Sequence, residues 1–244
     1  MRYIEKNEPP QALLFWKAQR NAAAQSLDFA ELGRVEMNGE MVDVKKAIKS
    51  QRLKDQGFLC AYTMLRITAD TSHIEHLIPQ SLSRIEKHRE QTVEYGNMVV
   101  CYPGKESKGC IEFGATYRGD ALLAVTPRDP KCEILIQYHQ NGTVTSDEPA
   151  VERMLNEEVL NLNAPTLKDR RKDIFDQHGV GLRSDKPLKI REAERFVNSV
   201  MSQNAKGERP PFCVALAHAA LKHIELLKKR REQVRPYHRP LTGR

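Results

Sequence analysis

The sequence predicts an α+β protein in which a small β-containing core is embedded in a mostly helical chain. Three observations carry that expectation. Apolar residues recur at helical spacing near the N-terminus and again over most of the chain beyond Pro149. Between residues 58 and 78, and again at 98–100, they come instead in short runs with β-branched residues, as strands require. Asn141-Gly142, following the apolar residues 134–138, is a strong hairpin-turn signal.

The elements follow in order. Pro9-Pro10 suits the opening of a helix, and Leu13, Trp16, Ala23 and Leu27 continue it at roughly helical spacing through Phe29. Trp16 is expected in the core rather than at a binding surface. A polar break at Asn38-Gly39 precedes a second helix, with Val42, Val44 and Ile48 apolar among lysines. Residues 58–78 predict a twisted hairpin or strand pair, interrupted at Thr71-Ser72 and leading into a loop at His76. A short charged helix or loop over 83–90 comes next, then a second β element over 96–100. The glycine-rich, basic segment 103–109 is expected to be an exposed loop. Residues 116–123 predict the helix that closes a strand–strand–helix unit, weakened by Gly119. Beyond the second hairpin, helices are expected over 151–161, 165–177, 189–204 and 211–231, with 204–211 as a connection. The chain thus divides into an N-terminal helical segment (1–49), a central strand–strand–helix region (50–130) and a hairpin followed by a helical C-terminal region (131–244).

Composition bounds the function. At 244 residues, 40% hydrophobic and 29% charged, the chain is ordinary for a globular protein and long enough to bury a proper core. No apolar run approaches the ~20 residues that cross a bilayer, so no membrane partner is expected. The first residues lack the apolar centre of a signal peptide, and five irregularly spaced cysteines argue against a disulfide framework. A cytoplasmic location follows as the expectation. The net charge of +7 favours polyanionic partners, and +6 of it lies between Lys222 and Arg244. That stretch is either a solvated helix end complementing the helix dipole or a phosphate-contacting tail.

Chemistry concentrates at His73-Ile74-Glu75-His76-Leu77-Ile78-Pro79-Gln80-Ser81. An acidic residue directly before a histidine, at the end of a β-prone stretch, suits metal-assisted phosphodiester cleavage. Such a site needs a base for water and a hard cation to stabilise charge on the scissile phosphate. His76 suits the base, because an imidazole of ordinary pKa is largely neutral at pH 7. Glu75 suits the cation, because a carboxylate supplies charge and a hard oxygen. His73, two residues earlier, shares a strand face with Glu75 and is open to either a metal-assisting or a structural role.

With those residues in place, the sequence resembles the HNH (ββα-metal) endonucleases, and more narrowly the PtuB-type branch found beside Septu and retron anti-phage systems. Five segments carry the resemblance: Phe58-Leu59-Cys60-Ala61-Tyr62, Ile74 through Ser81, Tyr95-Gly96-Asn97-Met98-Val99-Val100-Cys101, Gly114-Ala115-Thr116-Tyr117-Arg118-Gly119-Asp120 and Leu160-Asn161-Leu162-Asn163-Ala164-Pro165. Their order and spacing match over roughly residues 50 to 172. The resemblance implies a ββα-metal (HNH) core and a catalytic constellation of His76 and Asn97, with Asn97 fixing the loop that carries His76. It implies Glu75 as a metal ligand, with Mg²⁺ or Mn²⁺ as the cofactor.

Two departures stand out. Cys60-Ala61-Tyr62-Thr63 stands where the family commonly has Cys-x-x-Cys. Ala115 stands where it has a metal-side Asn or His, so either Asp120 or another nearby oxygen replaces that ligand or metal binding is weakened, and Arg118 becomes a candidate phosphate clamp in place of the family's Lys. A structural zinc on Cys60, Cys101 and Cys110 would need a recruited histidine or distant cysteine. The implied function is an effector of anti-phage defence that hydrolyses phosphodiester bonds of DNA or RNA, with transfer RNA a candidate. Implied partners are the nucleic acid substrate, a PtuA-type ABC/SMC-like ATPase and, in the retron version, a reverse transcriptase with its RNA–DNA product. The alternative is a degenerate HNH scaffold that binds nucleic acid or docks partners without cutting.

Overall fold

A computed structural model describes residues 1–85, 88–104 and 112–234. The N-terminal helix α1 (Gln11–Ala22) opens behind Pro10, as expected, but stops well before Phe29, which begins a one-turn 3₁₀ helix to Glu31. Asn38-Gly39 is more than a polar break. Both residues take left-handed φ (+53° and +82°), the geometry of a tight hairpin turn, and join β1 (Arg34–Met37) to β2 (Glu40–Asp43). Val42 therefore lies on a strand, and α2 (Val44–Asp55) starts only where the Asp43 carboxylate caps the Lys46 N–H at 3.0 Å.

Residues 58–78 form only a minimal version of the expected hairpin or strand pair. Their β pairing with each other is a single bridge, Leu59 to Arg66, around a tight buried turn in which Cys60 N–H meets the Leu65 carbonyl at 2.8 Å. The strand β3 (His73–His76) pairs instead with β4 (Met98–Cys101), antiparallel, with Glu75 opposite Val99 and His76 opposite Met98. Between them run α3 (Gln80–Ile85) and 3₁₀ turns at Arg89–Val93 and Tyr95–Asn97. The closing helix α4 (Ala115–Arg118) is one turn long, because Gly119 leaves the helical region at φ +56°. The expected exposed loop at 103–109 falls mostly outside the described residues.

Beyond it come the single turn α5 (Cys132–Leu135), then β5 (Gln137–Tyr138) and β6 (Val144–Thr145), joined across Asn141-Gly142 as expected. The helices α6 (Pro149–Leu155), α7 (Pro165–Gln177), α8 (Ile190–Val200) and α9 (Cys213–Val234) complete the chain. The result is a mixed fold of helices and small antiparallel sheets. Among the described residues no helix is long and apolar enough to cross a membrane.

Two apolar clusters flank the β3–β4 ladder. The smaller packs Leu13 and Trp16 of α1 on Val44 and Ile48 of α2, with Met98 and Ile74 turned toward it. Trp16 is thus core. The larger gathers Val99 and Cys101 of β4 with Tyr62, Leu155, Phe175 and the alanine-rich face of α9. Alternation along β3 places His73 and Glu75 on one side and Ile74 and His76 on the other.

The ladder is tied to α2 by Gln56, a buried amide. Its Nε2 donates to the Leu59 and Val100 carbonyls at 2.7 and 2.8 Å, and its Oε1 accepts from Val100 N–H at 2.8 Å. Gln56→Ala leaves these groups short of partners and should cost about 1–3 kcal/mol. Chemical denaturation of the folded variant checks this, and a cost near zero would mean that water replaces the amide.

Candidate active site

The end of β3 brings together most of the residues singled out in the sequence. His76 is 5% exposed. Its Nε2 lies 2.8 Å from the Thr92 carbonyl, which can only accept, so Nε2 carries the proton. Its Nδ1 then presents a lone pair, and the Gln80 amide donates to it at 3.2 Å. The amide is oriented by Arg84, whose Nη2 donates to Gln80 Oε1 at 3.1 Å and also meets Asp28 Oδ1 at 3.2 Å. Phe29 packs its ring against the imidazole at 4.7 Å, nearly perpendicular. Burial lowers the His76 pKa below its ordinary value, against the pull of the Thr92 carbonyl and Glu75 and with that of Arg84 and Arg118. The ring is accordingly neutral near pH 7, with Nδ1 the basic atom.

Asn97 sits at the entry to β4 and brackets the loop after His76. Its Oδ1 accepts from Ile78 N–H at 2.7 Å, and its Nδ2 donates to the Ile78 and Gln91 carbonyls at 3.2 and 3.1 Å. The side chain fastens backbone on both sides of α3, so it acts by position.

Glu75 points to the opposite face. Its Oε1 is held by Arg118 Nη1 at 2.7 Å, and its Oε2 faces His73 Nε2 at 3.6 Å. His73 Nδ1 lies 2.5 Å from the Pro103 carbonyl and so donates to it. Burial works against a charged His73, but the Glu75 carboxylate and the Pro103 carbonyl outweigh it and raise its pKa.

Arg118 corrects the expectation of a phosphate clamp. Its side chain has no exposed surface. Nε donates to the Ala121 carbonyl at 2.6 Å and Nη2 to the Leu77 carbonyl at 2.6 Å. Nη1 meets the Tyr62 hydroxyl and the His76 carbonyl at 2.9 Å each, besides Glu75. A guanidinium engaged at all three nitrogens and closed to solvent has nothing left for a phosphate.

The cation set is smaller than expected. Ala115 is buried at the start of α4, and Asp120 is exposed in the turn after Gly119. Among the described residues no three His, Cys, Asp or Glu side chains gather into a group able to hold a metal ion, so Asp120 does not complete a set with His73 and Glu75. What remains are two converging donors, Glu75 Oε2 and, when its ring is neutral, His73 Nε2. That pair fits a divalent ion whose other positions are filled by water and a substrate phosphate, the usual habit of Mg²⁺, rather than an ion caged by protein.

Cys60 and Cys101 are buried free thiols in mutual contact, and Cys110 lies outside the described residues. Burial opposes a Cys60 thiolate, but hydrogen bonds from Cys101, Thr63 and Tyr102 N–H outweigh it and bring this thiol down to about 6. Burial and the neighbouring Cys60 push Cys101 up. Thr63, where a second cysteine would complete Cys-x-x-Cys, serves here as a hydrogen-bond partner to sulfur.

Sequence reasoning missed Gln80, Thr92 and Phe29. Thr92 acts through its main-chain carbonyl, which no side chain advertises. Gln80 had a usable signal, four residues after His76 and just behind Pro79. No protein-family model and no curated protein matches this chain.

Removing the Arg118 guanidinium leaves Glu75 charged and half-buried and strips the Leu77, His76 and Ala121 carbonyls of a donor. Arg118→Met should cost on the order of 3–5 kcal/mol, and Glu75→Gln/Arg118→Met should recover part of that loss. Urea unfolding of the wild type and the two variants measures both. A double variant no more stable than Arg118→Met would show that the carbonyls, not the ion pair, set the cost.

Proposed function

We propose that this chain is a metal-assisted endonuclease of the HNH kind, acting on phosphodiester bonds of DNA or RNA as the effector of an antiviral defence system. The observation that carries the reading is the neutral, tautomer-fixed imidazole of His76 beside Glu75, on a strand–strand–helix succession of β3, β4 and α4. The order and spacing of the motifs in the sequence support it further. The partner ATPase and, in the retron version, the reverse transcriptase belong to this proposal through resemblance alone.

The Thr92 carbonyl holds the proton on Nε2, so His76 accepts a second proton at Nδ1. For that the Gln80 amide swings aside and a water takes its place. The water's proton passes to Nδ1 as its oxygen attacks phosphorus, the bond to the leaving sugar oxygen breaks, and that oxygen takes a proton from solvent. Asn97 keeps the loop after His76 in register with β4 throughout. Glu75 and His73 would hold a divalent ion, which would supply charge stabilisation to the phosphate and leaving oxygen. In this structure they lie across β3 from His76 Nδ1, so the phosphate would have to reach both faces at the end of the strand.

A second reading, a non-cleaving scaffold, is favoured by one observation: Arg118 already neutralises Glu75 and no third ligand joins it. The two readings separate on His76→Ala. In a nuclease this substitution should lower oligonucleotide cleavage in Mg²⁺ or Mn²⁺ by ~10²–10⁴-fold while leaving the fold intact. Undiminished cleavage by the folded variant would remove His76 from the chemistry. A wild-type chain that never cuts, and whose cellular effect survives His76→Ala, would establish the scaffold.

A further inference from the structure

A cavity of about 620 Å³ opens between α2 and the first residues of β3, lined by His73 and Ile74 of that strand but not by Glu75. Lys45, Lys46 and Lys49 of α2 form one side, and Phe29, His73 and Gln80 contribute to the other. Two of these residues also touch the candidate base. Gln80 donates to His76 Nδ1 at 3.2 Å, and Phe29 packs on the same ring at 4.7 Å. The cavity wall is therefore the far side of the imidazole's own surroundings.

The lysines are arranged for an anion. Spacing of i, i+1 and i+4 keeps them on one side of α2. Among the described residues, neither Lys45 nor Lys46 enters an ion pair: Lys45 Nζ lies over the Phe29 ring at 5.1 Å, and Lys46 is exposed. Lys49 Nζ is anchored to the Ala69 carbonyl at the far end of the row. Two acids also line the cavity. Asp43 is committed to capping Lys46 N–H, and Asp70 is an exposed residue opposite. Phe29 and Ile74 add apolar wall of the kind on which a sugar or base can lie.

We propose that this cavity is where the phosphodiester backbone of a nucleic acid strand lies, with Lys45 and Lys46 contacting consecutive phosphates and the strand leading past Gln80 to His76. The proposal rests on the nuclease reading for its purpose but not for its test. It moves the phosphate contacts away from Arg118, which is closed to solvent, to a helix that precedes the central region in the chain.

The experiment is fluorescence anisotropy of the full chain with a labelled 20-nucleotide single strand, as DNA and as RNA, in EDTA so that no cleavage contributes. Lys45→Glu/Lys46→Glu leaves the Lys49 anchor in place. It should weaken binding about tenfold or more and reduce the slope of log affinity against log salt by roughly 1–1.5, since each single-strand phosphate contact contributes about 0.7. Arg170→Glu/Lys206→Glu makes the same change in net charge at exposed positions elsewhere and should shift binding far less. Lys45→Arg/Lys46→Arg should bind as wild type does, with thermal melts confirming that all variants fold. Equal losses in the two glutamate variants would reduce the effect to overall charge and overturn the proposal, as would an unchanged slope in the Lys45/Lys46 variant. Lysine-dependent binding by a chain that never cleaves would refute the nuclease reading alone. Cleavage with lysine-independent binding would refute the cavity alone.

Discussion

A guanidinium without exposed surface must find acceptors inside the protein, and Arg118 finds them by drawing three pieces of chain to one point. It takes the Glu75 carboxylate and the His76 and Leu77 carbonyls from the end of β3, the Tyr62 hydroxyl from the buried turn, and the Ala121 carbonyl from its own segment. The helix that carries it is a single turn, too short to hold its place by helix formation. The buried Ala115 and the Gly114 N–H bond to the Leu160 carbonyl at 2.8 Å help to place α4, and its location depends on this side chain as well. So does the backbone geometry just after His76, since both carbonyls that follow the strand are tied to it.

The same tie divides the two faces of β3 into different electrostatic settings. On one face the arginine meets Glu75, and the carboxylate in turn favours a charged His73. On the other, apolar burial beside Phe29 keeps His76 neutral. Consecutive residues of one strand thus differ in charge state because the strand separates a polar seam from an apolar cluster. Period-two alternation is all the sequence needs to encode that separation.

Legibility followed the kind of partner each residue has. Long periodic segments were readable: α7 begins and ends where the pattern placed it, and the Asn141-Gly142 turn makes its hairpin. Asn38-Gly39 carried the same turn signal, but the flanking strands are short and half exposed, so the pattern around it read as a break. The stretch over 58–78 read as a hairpin or strand pair from its apolar and β-branched residues. Leu59, Leu65 and Ile67 are buried around a tight turn with a single bridge, Thr68 and Thr71 are exposed, and only His73–His76 enters a ladder. Glu75, His76 and Asn97 were read as one site from their motif, and they lie at one end of the β3–β4 ladder with Glu75 on the opposite face from His76. Arg118 was legible as important but misassigned, because a motif position does not reveal whether a guanidinium faces solvent or carbonyl groups. Thr92 could not be found at all, since its contribution is a main-chain oxygen.

Gln80 holds a place that a carboxylate or an imidazole would hold differently. A primary amide neither gains nor loses a proton across the physiological range, so breaking its contact with the neutral Nδ1 leaves no charge behind on Gln80. Rotation about the side-chain bonds of one residue is then enough to cover or uncover the imidazole lone pair. While the imidazole is neutral, the cover over its lone pair is mechanical in character: a latch turned by whatever presses on the amide.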